Sequence, residues 1–143
     1  MTEWKRPESV LVIVATKSQE ILCLLRSDHP NFWQSVTGSL QVDEPPNLAA
    51  LRELYEETGI QAEEGELVDC QHSEHYDIYP HWRHRFHPDV SKNLEHVFCF
   101  WLEKAQDIKL SHEHTKYCWL SKDEAIRIVT SPSNQSAIEK FIQ

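Results

Sequence analysis

Arg52, Glu53, Glu56 and Glu57 lie within one short run, RELYEETG. Placed on a helix at about 100° per residue, they share one arc. Relative to Arg52, Glu56 falls about 40° round, Glu53 about 100° and Glu57 about 140°. Leu48, Leu51 and Tyr55 fall about 260–320° round, which predicts an apolar stripe packed on a sheet and a carboxylate arc facing outward. Glutamates at i, i+3 and i+4 repel one another by a few tenths of a kcal/mol per pair. Glu56 and Glu57 also stand near the helix C-terminus, where the helix dipole disfavours negative charge. A merely solvated acidic face leaves both costs standing, whereas a bound hard cation offsets both. Oxygen-only ligands suit Mg²⁺, with Mn²⁺ as a substitute, rather than zinc. Mg²⁺ held by a few carboxylates takes its remaining ligands from water and substrate phosphates.

The elements that position this arc can be read from patterning. Val10–Thr16 is a continuous β-branched run, expected as a strand covered on both faces. Glu20–Leu25 follows a turn and predicts a hairpin partner. Phe32–Thr37 reads as one short strand entering Gly38. Pro45-Pro46 suits a helix start, and Gly59 suits the left-handed position that ends the helix. Leu67–Ser73 and Glu74–Tyr79 read as strand segments, Pro80–Pro88 as a loop rich in histidine and aromatic residues, and Leu94–Leu102 and Lys116–Leu120 as strands. Ser121 and Glu124 have capping-box spacing before a helix over Ala125–Val129, and a last helix covers about Asn134–Ile142. Strands interspersed with one central helix and followed by two more predict an α/β/α sandwich with a mixed β-sheet.

With 143 residues the chain is expected to be a single domain over 1–143. Hydrophobic residues at 40% and charged residues at 26% describe a globular rather than a disordered chain. A net charge of −9 argues against nucleic acid as a partner. There is no apolar leader or membrane-length run, which points to the cytoplasm. Cys23, Cys70, Cys99 and Cys118 show no C-x-x-C pairing and read as buried reduced thiols. His81, His84 and His87, with Arg83 and Arg85, lack zinc-site spacing and read as a loop shaping a pocket. The oligomeric state stays open and is compatible with a monomer.

The central stretch resembles the Nudix box, G-x5-E-x7-R-E-U-x-E-E-x-G-U, at every fixed position. Those positions are Gly38, Glu44, Arg52, Glu53, Leu54, Glu56, Glu57, Gly59 and Ile60. The resemblance implies the Nudix α/β/α fold and Mg²⁺-dependent hydrolysis of a nucleoside diphosphate linked to another group. It implies metal ligation by Glu53, Glu56 and Glu57, with Arg52 holding a box carboxylate in place. The chemistry is consistent with the charges. A phosphoanhydride repels nucleophiles until its oxygens are neutralised, and a carboxylate must take the attacking water's proton.

The flanks are similar to those of the bacterial dihydroneopterin triphosphate pyrophosphatases. The matching segments are Lys5-Arg6-Pro7, Phe32–Gly38, Asp69-Cys70-Gln71, Arg83-His84-Arg85, Glu113-His114 and Ser133-Asn134. This resemblance implies a small-molecule triphosphate substrate and a metal set of Glu53, Glu57 and Glu113, with Glu56 auxiliary. Any of Glu53, Glu56 or Glu113 could be the base. Lys5 and Arg26 would meet the triphosphate, Thr37 and Ser131 would make polar contacts, and Tyr76, Asp77, Ile78 and Tyr79 would line a ring pocket. Trp33 is read as either core or pocket. The rival readings are a Nudix enzyme acting on other nucleoside triphosphates such as dATP or on dinucleoside polyphosphates, and a catalytically silent Nudix domain.

Overall fold

The structure, a computed structural model, describes residues 4–143. Its centre is strand β1 (Glu8–Thr16). β1 runs parallel to β6 (Lys92–Leu102), in register from Glu8 opposite Leu94 to Thr16 opposite Leu102. It touches β2 (Ile21–Arg26) at one pair only, Ala15 opposite Ile21. Beyond that pair the two strands part. β4 (Val36–Ser39) takes the place beside Ser9–Val12, and β7 (His114–Leu120) pairs with β2. The short β3 (Trp33–Gln34) borders β2, and β5 (Glu66–Asp77) borders β6. The sheet is therefore mixed, as expected.

Alternation along β1 builds two cores. Val10, Val12 and Val14 pack with Ala49, Ala50 and Leu54 of helix α1 (Pro46–Thr58). Leu11, Ile13 and Ala15 pack with Ala125 of α2 (Lys122–Ile128) and Ala137 and Ile138 of α3 (Pro132–Phe141). Both faces are covered, which is why this strand has no polar alternation. The α/β/α architecture follows.

The inward face of α1 corrects the helical-wheel expectation. Leu48 and Tyr55 are 53% and 57% exposed, and Leu51 is only partly buried. The buried set is instead Ala50, Glu53, Leu54 and Glu57, together with Ala49 and Thr58. Positions 50, 53, 54 and 57 follow the i, i+3, i+4, i+7 rule of a packed helix face. Two alanines let the helix lie close to the sheet, and that closeness draws two of the three carboxylates inside. Only Glu56 faces outward.

Other expectations hold with local differences. Gly59 ends α1 at φ 78, its N–H donating to the Tyr55 carbonyl at 2.9 Å. The Ser121–Glu124 capping box is formed. The strand predicted over Phe32–Thr37 breaks at Ser35, whose N–H donates to Asn134 Oδ1 at 2.8 Å rather than to a strand. The two strand segments after α1 are one strand, β5, with an irregularity between Asp69 and His72 where Gln71 adopts φ 52. Pro80–Arg85 winds into a 3-10 helix. All four cysteines are free and sit in strands, Cys23 and Cys99 buried as expected, Cys70 and Cys118 only partly so. Among the described residues, no helix is long and apolar enough to cross a membrane.

Candidate active site

Arg52 is the hub from which the site is built. Its Nε and Nη2 donate to the two oxygens of Glu44, each at 2.8 Å, in a fork-to-fork pair. Nη1 donates to Glu53 at 2.8 Å and to Glu56 at 3.2 Å, and Nη2 also reaches the Ser39 carbonyl at 3.0 Å. One guanidinium thus ties the loop before α1, the end of β4 and the helix together. It also holds Glu44 below its ordinary pKa.

Glu53 reaches the sheet because Gly38 has no side chain. A Cβ at Gly38 would lie 2.1 Å from the Glu53 carboxyl carbon, far inside any permitted contact. Burial raises the Glu53 pKa, opposed by the neighbouring Glu57 carboxyl and then by Arg52. Glu57 is 1% exposed, and neither of its oxygens has a hydrogen-bond partner. Burial, then the adjacent Glu53 carboxylate, pushes its pKa well above the ordinary value. His114 Nδ1 lies 3.7 Å from Glu57 Oε1, too long for a hydrogen bond. Burial lowers the His114 pKa to about 4, so the ring is neutral at pH 7, and its Nε2 lies 2.9 Å from the Gln34 amide nitrogen.

A buried carboxylate without partners is costly unless something outside the chain satisfies it. Two bare oxygens on Glu57 beside Glu53 fit a hard divalent cation. Among the described residues, no three His, Cys, Asp or Glu side chains converge as a complete metal-binding group. A cation here would therefore draw further ligands from water and substrate, as Mg²⁺ commonly does.

A cavity of about 440 Å³ opens beside Glu53, lined by it, by Gly38 and by the exposed Glu113 from the loop before β7. That volume suits a small-molecule ligand. Lys5, Arg26, Thr37 and Ser131 line it as well. Lys5 is exposed by area, yet protein atoms crowd its ammonium. That desolvation, with Arg85 nearby, lowers its pKa. Arg26 is already engaged: its Nε and Nη2 donate to Asp28 at 2.7 and 2.8 Å, and its guanidinium lies 4.3 Å from the Trp82 ring centre. The Thr37 hydroxyl donates to the Val10 carbonyl at 2.9 Å, and Ser131 shares a hydrogen bond with Ser133. Arg52, Glu56 and Glu57 are not among the lining residues.

Tyr76, Ile78 and Tyr79 line the cavity, but Asp77 does not. Strand alternation turns Asp77 outward, where its side chain is 82% exposed and pairs with Lys92 at 3.0 Å. The aromatic wall is larger than the sequence suggested. Phe32, Tyr79 and Trp82 meet edge to face, with ring centres 5.3–5.7 Å apart. Trp33, one residue on, packs instead with the α2–α3 core. Sequence reasoning also missed Asn93, Glu95 and Asn134, which are all buried cavity residues. Two of them, Asn93 and Glu95, alternate on the buried side of the polar first half of β6, and that spacing of two was the available signal.

Comparison with known proteins agrees with this geometry. The NUDIX domain model matches residues 5–141. The chain is 42% identical over 142 residues to the dihydroneopterin triphosphate diphosphatase of Escherichia coli K12, covering 97% of this chain and 94% of that one. It is 39% identical over 145 residues to the Haemophilus influenzae protein of the same name, covering 99% and 91%. The structure of the E. coli dihydroneopterin triphosphate pyrophosphohydrolase superposes with a TM-score of 0.93 at 42% identity, over 97% of each chain.

Proposed function

Since the chain belongs to the NUDIX family, we propose that it hydrolyses 7,8-dihydroneopterin 3'-triphosphate to dihydroneopterin 3'-phosphate and pyrophosphate, with Mg²⁺ as its cofactor. The relatives of about 40% identity over nearly the full chain place it among Nudix hydrolases of the dihydroneopterin triphosphate diphosphatase type. The observation that carries the metal-dependent chemistry is Glu57, whose two buried oxygens have no hydrogen-bond partner among the described residues. A divalent cation at Glu53, Glu57 and Glu113 would supply charge neutralisation for the anhydride oxygens and a more acidic water.

The chain's own residues do the rest. Arg52 locks Glu44, Glu53 and Glu56 into one constellation. Glu113 approaches from outside the helix and is placed to contact the phosphate chain or take a proton from water. Lys5 supplies positive charge at the cavity for a polyanionic tail. Arg26, committed to Asp28, braces Trp82 within the aromatic wall. Phe32, Tyr79 and Trp82 offer flat faces and edges to a bicyclic ring.

The test is a Mg²⁺-dependent turnover panel run in oxygen-18 water with dihydroneopterin triphosphate, dATP and a dinucleoside tetraphosphate. Pyrophosphate release with a clear preference for the pterin is expected. Release of orthophosphate alone, or equal turnover of dATP, refutes the assignment. The position of the label identifies the attacked phosphorus.

A further inference from the structure

Glu95 is a second buried carboxylate in the cavity, and the hydrolytic chemistry does not use it. It sits on β6 at 4% exposure, lines the cavity, and its Oε1 has no hydrogen-bond partner. Burial pushes its pKa up to about 7, with the Ser133 hydroxyl opposing and Glu74, directly across in β5, adding to the rise. Among the described residues, no cation is paired with it.

The neighbouring amides are already committed. Asn93 Nδ2 donates to the Ser9 hydroxyl at 2.7 Å. Asn134 accepts from the Ser35 N–H at 2.8 Å and donates to the Ser35 hydroxyl at 3.0 Å. These pairs hold the cavity wall in place. Glu95 Oε1 is left as an unsatisfied acceptor in the wall, and a ligand that brings N–H donors would satisfy it.

We propose that Glu95 is a specificity-determining residue that receives the 2-amino-4-oxopyrimidine edge of the substrate's ring. That edge carries two adjacent donors, the ring N3–H and the exocyclic amino group. Their spacing matches the two oxygens of a carboxylate, as a guanidinium does. Guanine has the same edge. Adenine sets an amino donor beside a bare ring nitrogen, so one carboxylate oxygen would face a lone pair. A site built to hydrogen-bond a donor pair rejects a ring that lacks it far more strongly than an apolar slot can. The proposal deepens the function above by naming what reads the ring.

The test separates the two readings. Neopterin has the ring but no phosphate, so it reports ring recognition without metal or hydrolysis. Its fluorescence titration should show binding to the wild-type protein, weakened roughly 10- to 100-fold in Glu95→Gln and Glu95→Ala, the loss associated with hydrogen bonds to a charged group. Glu95→Gln keeps the shape and serves as the folding-neutral variant, its melting temperature checked alongside. In turnover, KM for the pterin triphosphate should rise by a similar factor with kcat within about threefold, and the wild-type preference for GTP over ATP should disappear. Unchanged neopterin binding in Glu95→Gln, or a fall in kcat at constant KM, overturns the proposal. If the wild type fails to hydrolyse the pterin triphosphate, the proposed function fails, and the GTP-over-ATP comparison still decides the role of Glu95.

Discussion

Glu57→Gln should make the metal-free protein more stable while removing its activity. The wild-type side chain is 1% exposed with both oxygens unpaired, and its raised pKa means that folding penalises the ionised form. The penalty is absent below the ordinary carboxylate pKa and grows as pH rises above it. A neutral amide of the same shape escapes it. An unsatisfied buried group costs about 1–3 kcal/mol when neutral and more when charged, so exchanging the charged group for a neutral one should gain stability on the order of 1–3 kcal/mol at pH 7–8. At roughly 3 °C per kcal/mol for a chain of this size, its melting temperature should rise by about 3–9 °C. The gain should shrink towards pH 4.5 and below. Added Mg²⁺ at about 100 times its Kd should stabilise the wild type by about 2.7 kcal/mol, with much less effect on the variant. Pyrophosphate release should fall by at least about 100-fold, the scale seen when one electrostatic contact in a transition state is removed. Scanning calorimetry at pH 5 and pH 8, with and without Mg²⁺, and a turnover assay are sufficient. A variant that is less stable than wild type without metal at pH 8, or that keeps near-normal turnover, refutes the reasoning.

Gly38→Ala should drive Glu53 away from β4, because the new methyl would lie 2.1 Å from its carboxyl carbon. Turnover should fall at least tenfold, and the Arg52–Glu53 bond should be absent from a crystal structure of the variant. Asn134→Ala strips the buried Ser35 N–H of its acceptor and should cost about 1–3 kcal/mol in urea denaturation. Asp77→Asn removes only an exposed pair with Lys92, so stability should change by less than about 0.5 kcal/mol, with kcat and KM unchanged.

What could be read from the sequence was local. The box spacing placed Arg52, Glu53 and Glu57 together because a helix fixes the geometry of residues a few positions apart. Pro46, Gly59 and the Ser121–Glu124 cap likewise carry their own structural logic. The inward face of α1 was not legible. Large apolar residues were taken as the packed side, whereas the sheet accepted Ala50 and Leu54 and pulled in two glutamates. Asp77 was grouped with its neighbours because strand phase is invisible until the pairing partner is known. Phe32 and Trp33 could not be sorted for the same reason. Asn93 and Asn134 come into the cavity from β6 and α3, so their meeting with Ser9 and Ser35 is a property of the sheet order and of no single segment.

That sheet order also governs when the protein can become active during folding. β1 makes a single pair with its sequence neighbour β2, and its long partner is β6, contributed by Lys92–Leu102. The central ladder must therefore wait for a loop of tens of residues to close, and contacts of that kind slow folding. Until then the Val10–Ala15 strip has no cover on one edge, and an unpaired apolar strand is a point of self-association. The cavity wall spans from Lys5 to Asn134, so an N-terminal fragment could carry the whole Glu-rich helix and still have no pocket in which to use it.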